Sequence, residues 1–217
     1  MRSVVLASAF PKVFSAGLDF TPGVLVDPEE AQFKEMWGAF QCSLSTLHNL
    51  SKPLVVAVNS VAPAGGTVLS LAGDYRLCTP KCTMGLNEAA IGMVPPRWLD
   101  LMYMAVVGEK EAMRALTQGK MFTSGAECLA IGLVDEVIES DDLEALRERA
   151  CLVAEQLSGQ WTPCSAVMKR RFRAEATSFF NQDGIDETWE YVKGAKHGGA
   201  PAFQDFVEAF LSKKKKK

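Results

Sequence analysis

The size, composition and charge of the chain exclude several classes of protein. Its 217 residues are 48% hydrophobic and 23% charged, which is typical of a globular domain that buries a core without disulfide staples. The formal net charge is −3, and Lys213–Lys217 supply five positive charges, so the other 212 residues carry −8. A body this acidic is not expected to bind nucleic acid.

Apolar runs, the start of the chain and the cysteines indicate where the protein resides. No apolar run approaches the ~18 residues that a membrane span requires, and the longest, Leu54–Val58, has the length of a strand. The chain passes from Met1 straight into a strand-like run, so we expect no signal or transit segment in it. The six cysteines are scattered and match no metal or redox pattern, which favours free thiols in a reducing compartment.

The first part of the chain predicts strands and helices in alternation. Val4–Ala7 and Leu54–Val58 are short β-branched runs, which are typical of strands buried on both faces. Between them, apolar residues from Pro28 to Leu50 recur at spacings of three and four, which predicts one long helix. A strand, a crossing helix and a second strand together predict a parallel α/β layer.

The alternation continues to about residue 140. In chain order we predict a helix over 65–72, a strand over 75–78, a helix over 109–119, a short helix capped by Ser124 and a last strand over 133–138. Beyond Asp141 there are only helical patterns, with one apolar stripe over 143–157 and a Phe-rich stripe over 203–211. We therefore divide the chain into a core, residues 1–140, and a C-terminal helical region, residues 141–217. These helices pack on the core or hold subunits together, and the terminal lysines predict a solvated tail.

Three segments contain candidate functional residues. Phe14–Asp19 surrounds a glycine with small residues, and Ala62–Thr67 places two glycines at a predicted helix start, where unpaired N–H groups stabilise anions. The second segment lacks the signature of a phosphate-binding loop. In the third, Met84–Pro96, Glu88 is the one carboxylate in an apolar stretch, where desolvation would raise its pKa and suit a general base. Each pattern alone is also typical of an ordinary turn, helix start or surface charge.

Together with two further motifs, these segments resemble the enoyl-CoA hydratase/isomerase (crotonase) superfamily. The matching stretches are Val13–Asp19, Pro63–Gly66 with Asp74–Arg76, Gly85–Glu88, Pro96–Leu99 and Gly132–Asp135. The likeness runs from Val4 to about Val137 and is greatest to the mitochondrial 3,2-trans-enoyl-CoA isomerases. It implies an α/β fold, a spiral of ββα turns with C-terminal helices that form a homotrimer. Members usually begin with a further pair of strands and a helix, so we expect those N-terminal strands to be missing here.

The resemblance also implies roles for individual residues. The backbone N–H groups of Leu18 and Gly65 would form an oxyanion hole for a thioester carbonyl, and Glu88 would be the acid/base carboxylate. The remaining substrate-binding residues would be Ala16, Gly17, Ala64, Gly66 and Trp98. For the tryptophan, which would form a wall of the acyl pocket, a position in the ordinary core is the alternative. No metal and no cofactor are implied, since coenzyme A is part of the substrate.

Such a site suits the movement of a double bond in an acyl thioester from C3 to C2. One carboxylate can take the proton from C2 and return it at C4 while two N–H donors hold the enolate. Hydratases of the superfamily place a second carboxylate where this chain has Val68, which disfavours hydration. We expect a Δ3,Δ2-enoyl-CoA isomerase of fatty-acid β-oxidation that acts on acyl-CoA, and the resemblance implies the mitochondrial matrix, with the peroxisome and the cytoplasm as the alternative locations. The alternatives are another crotonase activity, such as hydration or thioester hydrolysis, and a catalytically silent acyl-CoA-binding protein.

Overall fold

A four-stranded parallel sheet lies at the centre of the fold. The structure, a computed structural model, describes residues 2–19, 25, 28–194, 205, 206, 208, 209 and 212. In that part of the chain the strands are β1 (Val4–Ala7), β2 (Leu54–Val58), β3 (Val61–Pro63), β4 (Tyr75–Cys78), β5 (Thr83–Gly85), β6 (Met121–Phe122) and β7 (Glu136–Val137). The helices are α1 (Glu30–His48), α2 (Gly65–Leu71), α3 (Arg97–Val107), α4 (Glu109–Thr117), α5 (Gly125–Ala130), α6 (Leu143–Gln160), α7 (Pro163–Thr177) and α8 (Gln182–Gly194), with a 3-10 helix at Ala89–Ile91.

The central sheet has the order β1-β2-β4-β7, and each neighbouring pair is parallel. Strand β2 is fully buried, as its continuous apolar run predicts. Strand β1 is only half-buried, which corrects the expectation that both of its faces are covered, because β1 is an edge strand with a neighbour on one side only. Helix α1 crosses between these two strands, so the predicted parallel layer is confirmed.

A second sheet, of order β3-β5-β6, positions the candidate site. Strands β3 and β5 are parallel, whereas β5 and β6 are antiparallel. The sequence does not predict these strands, because two or three residues are too few to show a period. The strand predicted over 133–138 is limited to Glu136–Val137, and helix α3 is a further element that the sequence does not predict.

Helices α6, α7 and α8 make up the described part of the C-terminal helical region. Helix α6 begins at Leu143, as its apolar stripe predicts, and packs on one face of the central sheet against Val55, Ala57 and Leu77. The stripe predicted over 203–211 lies mostly outside the described residues, and the Lys213–Lys217 tail lies wholly outside them. In the described part of the chain, no helix combines the length and the apolar character needed to cross a membrane.

Candidate active site

Two backbone segments far apart in sequence meet at the start of α2. Phe14 donates its N–H group to the Val61 carbonyl at 3.0 Å, which lays the loop that follows against β3. In that loop Gly17 has φ of +85°. A methyl group on Gly17 would lie 3.1 Å from the Pro63 carbonyl oxygen and 3.4 Å from the Gly65 nitrogen. Glycine is therefore required at this position both for the left-handed backbone and for the close approach.

The glycine pair of α2 allows the same close approach from the helix side. A methyl group on Gly65 would lie 3.2 Å from the Leu18 nitrogen, and one on Gly66 would lie 2.8 Å from the Ser15 carbonyl oxygen. Ala64, directly before the helix, has a positive φ of 46°, which is uncommon for a residue with a side chain. The small residues of both motifs thus bring two backbones into contact.

The N–H groups of Leu18 and Gly65 are unpaired at this junction. No described residue accepts a hydrogen bond from either nitrogen. Gly65 is the first residue of α2, and the first N–H groups of a helix have no partner inside it. Two unpaired donors at one junction are suited to bind an oxyanion, the role that the family resemblance implies for them.

Hydrogen bonds fix α2 relative to the segment that carries Glu88. The Ala64 N–H donates to the Gly85 carbonyl at 2.8 Å. The Thr67 hydroxyl donates to the Ala62 carbonyl at 2.6 Å and accepts from the Gly85 N–H at 2.8 Å. Because Glu88 follows Gly85 by three residues, these bonds limit how far the carboxylate can lie from the start of α2.

Glu88 has no polar partner for one of its carboxylate oxygens. Its Oε2 atom is buried and accepts no hydrogen bond from the described residues. Burial raises the pKa of this carboxyl above its usual value, its own backbone N–H opposes the rise, and the Asp100 carboxylate adds to it. A carboxyl group whose pKa is raised towards neutrality is suited to take and return a proton.

Glu88 and the start of α2 share one enclosed cavity of about 80 Å³. Of the predicted site residues, those that line it are Leu18, Ala64, Gly65 and Glu88, and those that do not are Ala16, Gly17, Gly66 and Trp98. The two glycines of the second group lie directly behind the wall, at the packed backbone junction. Most other lining residues are apolar, which explains the desolvation of the carboxylate.

Trp98 lies in the aromatic core and does not line this cavity. It is 1% exposed, and its ring centre lies 5.2 Å from that of Phe180 and 6.2 Å from those of Trp37 and Phe40. Its neighbour Leu99 lines the cavity instead. The rotational phase of α3 decides which of the two side chains faces the cavity, and a sequence motif does not show that phase.

Much of the cavity wall comes from helices that the sequence does not connect with the site. The residues from α1 and α8 are Phe33, Trp37, Phe40, Thr188, Tyr191 and Val192. The apolar stripe of α1 is visible in the sequence and correctly predicts burial. It gives no indication of what the buried face contacts, because that depends on packing between distant elements. Nothing in the sequence singles out α8.

A larger groove between α3 and α7 is a weaker candidate. It holds about 540 Å³ but contains none of the predicted site residues. Two of its charged groups, Asp74 and Arg173, pair with each other at 3.0 Å, so they are engaged in the fold. Within the described ranges, no three His, Cys, Asp or Glu side chains come together to hold a metal ion. The cavity at Glu88 is therefore the candidate active site.

Known proteins resemble this chain in sequence. It is 42% identical over 147 residues to mitochondrial enoyl-CoA delta isomerase 1 of Mus musculus, which covers 67% of this chain and 50% of that protein. The Homo sapiens protein of the same name is 36% identical over 146 residues, with 66% and 47% covered. Carnitinyl-CoA dehydratase of Salmonella typhi is 29% identical over 199 residues, with 89% and 69% covered. The chain spans about half the length of these mammalian isomerases.

Solved structures share the fold. Human mitochondrial delta3-delta2-enoyl-CoA isomerase matches with a TM-score of 0.85 and 29% identity, over 99% of this chain and 82% of that one. A probable enoyl-CoA hydratase of Mycobacterium tuberculosis matches with a TM-score of 0.78 and 26% identity, over 91% and 80%. The predicted crotonase-like α/β fold is thereby confirmed. A family profile described as enoyl-CoA hydratase/isomerase matches residues 1–198, and the chain therefore belongs to the enoyl-CoA hydratase/isomerase family.

Proposed function

We propose that the chain is a Δ3,Δ2-enoyl-CoA isomerase, which moves the double bond of an unsaturated acyl-CoA from C3 to C2. One observation carries the proposal: a single cavity holds the Glu88 carboxylate, whose Oε2 atom has no partner among the described residues, and the start of α2, where no described residue accepts from the N–H groups of Leu18 and Gly65. The carboxylate can move protons, and the N–H groups can hold the negative charge that proton removal creates. Similarity to enoyl-CoA delta isomerases supports the assignment.

The backbone N–H donors and the Glu88 carboxylate have different roles in the reaction. The thioester oxygen accepts hydrogen bonds from Leu18 and Gly65, which brings C2 towards Glu88. The carboxylate takes a proton from C2, and the electron pair of the C–H bond moves into the carbonyl to give a dienolate whose oxygen the two donors stabilise. Glu88, now protonated, returns the proton at C4, and the double bond then lies between C2 and C3. One carboxylate performs both transfers, so no metal ion or redox cofactor is required.

Val68 favours isomerisation over hydration. It is 1% exposed and lines the cavity from α2. An aliphatic side chain neither orients nor activates water. Among the described residues that line the cavity, Glu88 is the only carboxylate. Hydration needs a water molecule held against the double bond by a second acid/base group. We therefore expect this chain to hydrate its substrate more slowly than it isomerises it.

The cellular setting and the assembly belong to the same proposal. The mitochondrial relatives support the mitochondrial matrix and a part in the β-oxidation of unsaturated fatty acids. A homotrimer formed through the C-terminal helical region is supported by α7, which exposes Val167, Met168 and Phe172. Exposed apolar side chains on one helix are typical of an interface. A sedimentation mass equal to a single chain would contradict the trimer.

The test of the activity follows the conjugated 2-enoyl thioester by its ultraviolet absorbance. With a trans-3-enoyl-CoA as substrate, we expect turnover by the wild-type chain and a fall in kcat of about 10³ in Glu88→Gln, because an amide cannot take the proton. Glu148→Gln is the matched control, since it neutralises an exposed carboxylate on α6 that does not line the cavity. It should keep kcat within a few-fold of the wild type.

Three results would point to the alternatives. Hydration of a trans-2-enoyl-CoA at a higher rate than isomerisation would identify a hydratase. Release of free coenzyme A would identify a thioester hydrolase. Binding of a saturated acyl-CoA without turnover of any unsaturated one, and with equal affinity in Glu88→Gln, would identify a catalytically silent binding protein. Calorimetry with the saturated thioester measures that binding independently of activity.

A further inference from the structure

The segment that follows Glu88 is tied to a distant helix by one hydrogen bond. The Val94 N–H donates to the Tyr191 hydroxyl oxygen at 2.7 Å, across 97 residues of sequence. Among the residues that the structure describes, no other hydrogen bond joins α8 to residues 88–96. Tyr191 also lines the cavity. Its hydroxyl therefore joins one wall of the cavity to the segment that carries the carboxylate.

Residues 88–94 form one tight turn. The Glu88 carbonyl accepts hydrogen bonds from the N–H groups of Ile91 at 3.0 Å and Met93 at 2.8 Å. Gly92 has φ of +76°, which allows the backbone to reverse at that point. Because the turn is closed on Glu88 itself, a displacement of Val94 is passed to the backbone of Glu88.

The outer side of this turn is partly exposed, and Ala90 packs closely against the backbone of Gly119. Ala89 and Ala90 are exposed and Val94 is 65% exposed, whereas Ile91 is buried. Segments with few buried contacts open locally at a low free-energy cost. At the exposed Val94 end of the turn, the hydrogen bond to Tyr191 is the polar contact that joins it to another helix.

Helix α8 provides a firm anchor for this bond. Trp189 packs on Phe33 of α1 with ring centres 5.4 Å apart, and Asp186 forms an ion pair with Lys34 of α1 at 2.8 Å. The Tyr191 ring packs against the hydrophobic core. These contacts fix the hydroxyl relative to α1, which forms another part of the cavity wall.

We propose that Tyr191 is a positioning residue, which holds the Glu88 carboxylate in place over the acyl chain by way of Val94. The inference rests on the proposed isomerase function, because it concerns the placement of the same carboxylate. Proton transfer requires the carboxylate to lie within close reach of the proton that it takes. A misplacement of about 1 Å can cost up to about 10²-fold in rate, so the loss of a single tether on this turn is enough to lower the rate of proton transfer.

Tyr191→Phe removes the hydroxyl and keeps the ring. We expect kcat for a trans-3-enoyl-CoA to fall about tenfold, with KM changed by less than about twofold, because the N–H donors and apolar walls that bind the thioester remain. Tyr75→Phe is the matched control. It removes a hydroxyl that contacts Glu136 at 3.1 Å on the central sheet, and should leave kcat unchanged.

Two further measurements separate positioning from a general loss of structure. Hydrogen-deuterium exchange in a peptide that spans residues 88–94 should be faster in Tyr191→Phe than in the wild type, while α8 keeps its protection. In Glu88→Asp the shortened side chain has already moved the carboxylate. Adding Tyr191→Phe to that variant should lower kcat by less than about twofold, because two changes that act on one geometry are not additive.

The outcomes distinguish this inference from the proposed function. Equal kcat in the wild type and Tyr191→Phe, unchanged exchange at residues 88–94, or a full tenfold loss in both the Glu88 and the Glu88→Asp backgrounds would each overturn the positioning role and leave the isomerase assignment intact. Absence of isomerisation by the wild-type chain would overturn the proposed function, and with it any part of Tyr191 in the reaction.

Discussion

Asp74 and Glu88 are both carboxylates shielded from water, but the fold surrounds them in opposite ways. Asp74 accepts hydrogen bonds from the Leu54 N–H at 2.8 Å and from Lys169 Nζ at 2.6 Å, and it pairs with Arg173 at 3.0 Å. One oxygen of Glu88 is buried without any partner among the described residues. The carboxylate of Asp74 has three polar partners, whereas the burial of Glu88 is offset only in part, by its own backbone N–H group.

The surroundings of Asp74 suit a structural role, whereas those of Glu88 suit a role in proton transfer. The partners of Asp74 join the edge of β2 to α7, so this cluster holds the C-terminal helical region on the core. Burial, helped by Arg173 and Lys169, also lowers the pKa of His48 to about 3. His48 therefore stays neutral at physiological pH and does not act as a general acid. At Glu88 burial, with a smaller contribution from the Asp100 carboxylate, raises the pKa, which is the property that proton transfer needs.

Breaking the Asp74 cluster should have the largest effect on stability. Asp74→Asn leaves Lys169 and Arg173, whose side chains are 3% and 15% exposed, without their counter-charge. Removing one partner of a buried ion pair costs about 3–5 kcal/mol of unfolding free energy, which urea unfolding would measure. Glu111→Gln, which removes half of an exposed pair with Arg114, is the control and should cost less than about 1 kcal/mol. Equal losses in the two variants would show that the Asp74 cluster is solvated.

The donor side of the active site can be tested with a single methyl group. Gly65→Ala places a carbon 3.2 Å from the Leu18 nitrogen, between the two proposed oxyanion donors. We expect kcat/KM to fall by about 10², the size of the loss of one such donor, together with a loss of unfolding free energy, because the methyl group would also lie 3.2 Å from the Gly17 Cα atom and displace that backbone. Gly159→Ala in α6, where a methyl group meets nothing within 4 Å, is the matched control. Full activity in Gly65→Ala would mean that the thioester oxygen binds elsewhere.

The sequence predicts those parts of the fold and of the site that depend on local pattern. The run Leu54–Val58 and the helical period of α1 are local, and the structure confirms both elements. Strands β3, β5 and β6 have too few residues for a period and escape prediction. The structure places Glu88, Leu18 and Gly65 around one cavity, in agreement with the motifs that singled them out. Those roles remain predictions until activity is measured.

The cavity wall could not be predicted, because it depends on how distant elements pack. Tyr191 lies 97 residues from Val94, to which it is bonded, and no motif joins the two. Trp98 shows the same limit within a single helix. Its motif matches the family, yet the phase of α3 turns it into the aromatic core and turns Leu99 towards the cavity.

The smallest expected effect is a gain in stability when the charge of Glu88 is removed. A carboxyl whose pKa is higher in the folded protein than in the unfolded chain binds more protons when folded. The unfolding free energy therefore falls as pH rises from the ordinary pKa of 4.5 through the raised one. Glu88→Gln has no such group and escapes this loss. Its advantage over the wild type should be absent below pH 4.5 and grow above it to the order of 1 kcal/mol, the usual size of a single-residue effect.

Urea unfolding of both proteins between pH 4.5 and neutral pH would measure this difference. Glu187→Gln, which neutralises an exposed carboxylate on α8, is the control and should show no advantage that grows with pH, since water solvates that group in both states. A constant difference across the range, or a loss of stability in Glu88→Gln, would mean that Glu88 has a partner or access to water. In that case the surroundings of Glu88 would lack the uncompensated burial on which its proposed role depends, because a partner or access to water removes the desolvation that raises the pKa of a carboxyl group.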